Sequence, residues 1–197
     1  MICENLTVML LRLREKLETV KVKNNMNFKS EILNNTTISE NYLDGNYIFG
    51  FSPDKIRIQY AITNTVENKI IGELKTDRFK KFAELESLFM KLNNFLNKNE
   101  FENYKLNISQ KLADESLKNW NPKKRENERK RLFEEIYLDR IVIEWRKDLW
   151  DVLDDEIICI EKYEIVLGFI DDKYKDEHSI TVEINPENLK VENVFFE

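Results

Sequence analysis

The stretch Lys55-Ile56-Arg57-Ile58-Gln59-Tyr60-Ala61-Ile62-Thr63 alternates apolar with mostly polar side chains. A period of two places Ile56, Ile58, Tyr60 and Ile62 on one face of a β-strand and the charged and polar groups on the other. A strand buried on one side only belongs to a sheet with one wet face, which favours antiparallel pairing. Working outward, Tyr47-Ile48-Phe49 and residues 69–75 read as neighbouring strands of an antiparallel meander. Asp44-Gly45-Asn46 and residues 64–68 supply the turn chemistry around them.

Beyond the meander the period changes to that of a helix. Asp77 is a suitable N-cap, and Phe82, Leu85, Phe89, Leu92 and Leu96 follow on one face, widened by Phe79, Leu88 and Phe95. So broad an apolar stripe predicts the central packing helix. A second helical segment is expected over about 109–119, stopped by Asn121-Pro122, and a third from about Glu126 carries Leu132, Phe133 and Ile136. The last third is strand-like over 157–160, 163–170, 179–184 and 189–196. Upstream of the meander, Leu6, Leu10, Leu13, Leu17 and Val20 give an amphipathic N-terminal helix. That helix either covers the sheet or pairs with a second copy, so a homodimer through it stays open. The expectation is one α+β domain over 1–197, an antiparallel sheet or sheets with an N-terminal helix and a central group of helices. Its parts are an N-terminal helix and polar extension (1–45), a β-meander (46–76), a helical segment (77–137) and a β-rich C-terminal segment (138–197).

With 197 residues and 42% hydrophobic side chains the chain can bury a real core, which excludes global disorder. The charged fraction is 35% with a net charge of −6, so the surface as a whole is not that of a nucleic-acid coat. Cys3 and Cys159 are too few and too far apart for a disulfide framework or a Cys-x-x-Cys site. Met1-Ile2-Cys3-Glu4-Asn5 lacks the basic start of a secretory leader, and no apolar run approaches the length of a membrane span. A cytoplasmic protein with no membrane association is the expectation.

The single histidine, His178, limits nucleophilic catalysis, and Gly45, Gly50, Gly72 and Gly168 never cluster into a phosphate loop. No cofactor and no metal are therefore expected in the leading reading. One acidic arrangement offers an enzymatic alternative. Asp54 follows Pro53 at a strand start, while Glu73 and Lys75, two apart, project from one face of the strand expected to pair with it. An Asp and a Glu there could hold one Mg²⁺ with Lys75 stabilising developing charge, the Pro-Asp…Glu-x-Lys pattern of a class of metal-dependent nucleases. An ordinary solvated sheet face reads the same way.

Two further clusters suit binding. Residues 123–131 hold Lys123, Lys124, Arg125, Arg129, Lys130 and Arg131 against Glu126 and Glu128, and Trp120 precedes them. They could grip phosphates with Trp120 stacking on a base, as a non-catalytic nucleic-acid binder or as the nuclease's substrate grip. The plainer alternative is a solvated loop and first helical turn. Trp145 and Trp150 precede Asp151, Asp154, Asp155 and Glu156. Aromatic anchors beside carboxylates suit a protein partner with a basic surface, where charge steers association and the aromatics hold it. Core tryptophans beside an acidic hairpin end would look no different.

Leu117-Lys118-Asn119-Trp120, Leu132-Phe133-Glu134-Glu135-Ile136-Tyr137-Leu138-Asp139-Arg140-Ile141-Val142-Ile143, and Phe169-Ile170-Asp171-Asp172 leading to His178-Ser179-Ile180-Thr181-Val182 resemble a family of uncharacterised bacterial α+β domains of unknown function. The resemblance covers about residues 112–182. Where that family has glycine before the histidine this chain has Glu177, and Asp176 replaces its usual aromatic. It implies an α+β fold and no established activity. By analogy with small acidic domains encoded beside toxins, it is compatible with an immunity protein or inhibitor. The leading expectation is thus a non-enzymatic module that binds and neutralises a protein partner.

Overall fold

The computed structural model describes residues 28–39, 41–66, 69–70, 78–116, 118–119, 121–152, 156–171 and 179–196. These form an α+β fold in two layers. Strands β1 (Asn34–Ile38), β2 (Tyr42–Ile48), β3 (Lys55–Val66), β5 (Ile136–Val152), β6 (Glu156–Asp171), β7 (Ser179–Ile184) and β8 (Val191–Phe196) lie in that order across one sheet, and the two-residue β4 (Lys69–Ile70) pairs with the end of β3. Helices α1 (Arg78–Phe95), α2 (Lys98–Ser116) and α3 (Pro122–Glu135) carry the chain between β3 and β5. The expected N-terminal helix, the end of the third meander strand and Asp77 lie outside the described residues.

All neighbours in the sheet are antiparallel except β3 and β5, which pair in parallel from Arg57↔Arg140 to Val66↔Leu149. The expected wholly antiparallel sheet is corrected at this one seam. Three helices lie between the two strands, and a crossover of that size is what brings a second strand back in the same direction.

One face of the sheet is dry. Registered rows cross it, such as Ile58–Ile141–Leu167–Val182 and Leu43–Tyr60–Ile143–Ile165–Ile184. Every residue in those two rows is buried, and they pack against Phe82, Leu85, Phe89 and Leu92 of α1 and Tyr104, Ile108 and Leu112 of α2. The face reserved by the period of two in β3 is the face that is buried.

Local corrections have simple causes. Asp44-Gly45-Asn46 is not a turn but the middle of β2. A Cβ on Gly45 would lie 2.8 Å from Leu33 Cβ, so the glycine serves a close approach rather than a reversal. Asn97 stops α1 and immediately starts α2, its Oδ1 accepting from the backbone N–H of Asn99 and Glu100. The second helix therefore begins well before the expected 109. Asn121 caps α3 by accepting from Lys124 N–H, with Pro122 in the first helical turn, so the basic run is helical throughout. Residues 156–171 form one uninterrupted strand, not two.

Tyr60 is fully buried, and its hydroxyl has no hydrogen-bond partner among the described residues. Burial first, and the Glu86 carboxylate second, raise its pKa well above that of an ordinary phenol. Tyr60→Phe should therefore be neutral or stabilising at pH 7, by up to about 1 kcal/mol, because it removes an unpaired buried polar group. Tyr104→Phe, which removes the bond from the Tyr104 hydroxyl to the Leu189 carbonyl, should cost about 1 kcal/mol. Above a pH of roughly 10 the Tyr60 phenol ionises when unfolded but stays neutral when folded, so wild-type stability falls with pH. The Tyr60→Phe advantage should then widen by about 1.4 kcal/mol per pH unit. Urea unfolding of both variants at pH 7 and at alkaline pH checks this. A Tyr60→Phe variant less stable at pH 7 would mean that the hydroxyl is paired.

Candidate functional site

Strands β5 and β6 have 17 and 16 residues, whereas β7 has 6. The long hairpin therefore outruns its neighbours. Among the described residues, β3 follows β5 only as far as Leu149, and β7 pairs with β6 only over 165–170. The distal part of the hairpin, here the arm, runs to the last pair Val152↔Glu156. Along it, residues 156–164 of β6 pair with β5 on one side and with no described strand on the other.

The arm carries three of the six expected partner-binding residues. Trp150, Asp151 and Glu156 lie on its distal strands, in register with Ile158, Ile157 and Val152. Asp154 and Asp155, which join those strands, lie outside the described residues. Trp145 does not belong to this surface. It is 1% exposed, faces the helices and lies beneath the Lys81 ammonium, 4.7 Å from the ring centroid. Its position on the dry face of β5, two residues after Ile143, makes it core.

At the root of the arm, Lys81 Nζ donates to Glu84 Oε2 at 2.8 Å, and the Tyr163 hydroxyl donates to the same oxygen at 2.7 Å. Burial works against the Lys81 charge, but the bonds to Glu84 and Tyr163 outweigh it and hold the ammonium pKa up. The Lys81 bond, chiefly, holds the Glu84 carboxyl below its usual range. Burial, and then the Glu84 bond, push the Tyr163 phenol up. These shifts all fix the resting ionisation, so the triad clamps α1 to β6 rather than offering a base near neutrality. Beside it, where β7 ends, a cleft of about 690 Å³ opens between α1, the edge of β6 and the turn after β7.

Of the other expected sites, the nuclease set is described only at Asp54, and the basic cluster is largely paired internally. Asp54 is exposed in the turn before β3, with its N–H donating to Ser52 Oγ. Glu73 and Lys75 lie outside the described residues, and no cluster of three or more metal-ligating side chains occurs among the described ones. In the basic helix, Arg125 lies 3.9 Å from Asp114 and Arg129 binds Glu126 through two nitrogens. Lys130 lies 3.8 Å from Glu126, and Arg131 binds Glu128, Glu135 and Asp171. The Arg129 bond holds the Glu126 carboxyl low. Acids from outside the run, Asp114, Glu135 and Asp171, thus offset cations that looked unopposed along the chain. Lys123 and Lys124 remain exposed on the first turn, and Trp120 lies outside the described residues.

Sequence reasoning missed the edge of β6 that no described strand pairs, and the Arg131–Asp171 pair. The edge had a signal: residues 156–171 contain no proline and no turn cluster, while the strand signal after them, 179–184, is short. Asp171 had none, since an acid at a strand end reads as a turn. No described helix is long and apolar enough to cross a membrane. No family model, curated protein or solved structure matches this chain.

Proposed function

We propose that the chain is a non-enzymatic module that binds and neutralises a protein partner, as an inhibitor or immunity protein does, and that the β5–β6 arm is its recognition element. The observation that carries this reading is the arm itself. Among the described residues it leaves both neighbouring strands behind and exposes Cys159, Ile160, Glu161 and Lys162. Its sequence at the end of β5 and the start of β6 supplies Asp151, Asp154, Asp155 and Glu156 within six positions. Concentrated negative charge at the end of a projecting element favours a basic partner and accelerates its approach.

Reversing that charge tests the reading. The triple substitution Asp151→Lys, Asp154→Lys, Asp155→Lys should weaken capture of the partner from a lysate of the protein's own cells by about tenfold or more, with the larger change in association rate. Circular dichroism and unfolding midpoint should stay close to wild type, which separates a lost contact from a lost fold. An unchanged affinity removes the arm's end from the interface.

A further inference from the structure

We infer that the groove between α2 and the turn joining β7 to β8 is a second recognition site, apart from the arm. Its occupant is an extended peptide segment with a basic side chain at the Glu100 end and an acidic one at the Lys190 end.

The walls set the shape of this groove, which has a volume of about 510 Å³. One wall is a single face of α2, where Glu100, Asn103, Asn107 and Lys111 follow one another at helical spacing over about 16 Å. The other wall is the turn, and it is fixed before any ligand arrives. Leu189 is buried with a left-handed φ of 57°, a conformation that a leucine keeps only where its surroundings impose it. Its N–H donates to the Asn185 carbonyl, its own carbonyl accepts from the Tyr104 hydroxyl, and Asn188 Oδ1 accepts from the Lys190 N–H. Lys91 ties the same turn to α1 by donating to the Pro186 and Glu187 carbonyls. A wall that is already ordered spares a ligand the entropy of ordering it.

The polar groups left over set the occupant. Asn103 and Asn107 are exposed in the groove, and neither side-chain amide has a hydrogen-bond partner among the described residues. Each offers two N–H donors and an acceptor oxygen. Four residues of helix advance about 6 Å, close to the roughly 6.6 Å that two residues of extended chain advance. The two amides therefore meet alternate peptide groups of one strand-like segment. A helical ligand, whose backbone is bonded to itself, presents no such row. At about 3.3 Å per residue the wall from Glu100 to Lys111 accommodates about five residues. Leu106, 44% exposed beside the two amides, and Val191 on the other wall give an inward side chain apolar contact.

The charges set the ends. Among the described residues that line the groove Glu100 is the only acid, and it has no ion-pair partner among them. The turn runs along α2 from Leu189, bonded to Tyr104, to Glu192, whose carbonyl accepts from Lys111 Nζ, so Lys190 lies toward the Lys111 end. Lys190 is exposed with no acid in ion-pair distance among the described residues, and the Lys111 bond to a carbonyl leaves its charge uncompensated. The one carboxylate beside them, Glu192, accepts from Asn185 Nδ2 at 2.6 Å. Two ammoniums thus face one carboxylate at this end, and Glu100 stands alone at the other. Opposite charges at the two ends, with neutral amides between, select a dipolar segment and fix its direction.

The probe is the peptide acetyl-Lys-Thr-Val-Thr-Glu-amide, titrated into the isotope-labelled full chain and followed by NMR. The side-chain amide resonances of Asn103 and Asn107 should shift together with one Kd, while the backbone amides of 159–164 on the arm stay in place. Asn103→Leu with Asn107→Leu, at exposed helix positions, should weaken binding about tenfold or more without lowering the unfolding midpoint. Wild type should prefer this probe over acetyl-Lys-Thr-Val-Thr-Lys-amide by about threefold or more, and Lys190→Glu should reverse that preference. The absence of a common shift up to about 10 mM probe overturns peptide capture by the groove. So does an unchanged affinity in the double leucine variant, or a Lys190→Glu protein that still prefers the glutamate peptide.

Discussion

Replacing Arg131 by alanine is expected to lower the unfolding free energy by about 3–5 kcal/mol, the range for stripping one partner from a buried ion pair. The size follows from what is left behind. The Asp171 side chain is 1% exposed at the end of β6, and Arg131 meets both of its oxygens, each at 2.8 Å. The same guanidinium binds Glu128 and Glu135 one turn away on either side. Asp171, chiefly, holds the arginine firmly in its charged form. Without it, a carboxylate remains in the core and three acids face one another. In a chain of this length the midpoint of thermal unfolding should fall by roughly 10 °C. Arg131→Ala with Asp171→Leu should recover part of the loss, because removing both charges removes the desolvation problem as well as the attraction. Urea unfolding of both variants measures this. A single substitution costing less than about 1 kcal/mol would mean that the pair is far more hydrated than its burial indicates.

Phe89→Ala should cost a comparable 3–5 kcal/mol, through a cavity rather than a charge. Phe89 is fully buried at the centre of α1, where its ring centroid lies 5.2 Å from Tyr47, 6.0 Å from Phe49 and 6.2 Å from Tyr60. It joins the helix to β2, the residue just after it, and β3, so both layers lose contacts when the ring is removed. The Tyr47 and Phe49 contacts are edge-on, which adds about 1 kcal/mol to simple area burial. Phe89→Leu should lose less than half as much, since most of the volume is retained. Equilibrium unfolding in urea with an unchanged slope would attribute the loss to the native state. Equal costs for alanine and leucine would show that ring geometry, not volume, sets the penalty.

The two results bear on how differently the core and the candidate site could be read from the chain. Phe89 was legible. Phe82, Leu85, Phe89 and Leu92 recur at helical spacing, and the helix they predict is α1 with those four buried. The dry face of β3 was legible for the same reason, because a local period fixes which side chains share a face. Arg131 was not. Along the chain it is one of six cations in a polar run, and the residue that buries it lies forty positions on, across a helix end and a strand end. Trp145 and Trp150 show the same limit from the other side. Both precede an acidic stretch, and nothing local marks that Trp145 lies in the core beneath Lys81 of α1.

By itself, the sequence determined the secondary-structure class, the central helix, the buried face of the central strand and the acidic character of the segment joining β5 and β6. These follow from periodicity and charge within windows of a few residues, where neighbours along the chain are also neighbours in space. The tertiary structure alone decided that β5 lies parallel to β3, that the basic helix is offset by Asp114, Glu135 and Asp171, and that β6 runs beyond β7 with no described strand on that edge. Each of these depends on which distant strands and helices meet. Loop closure and burial over the whole chain choose that partner, and no local pattern encodes it.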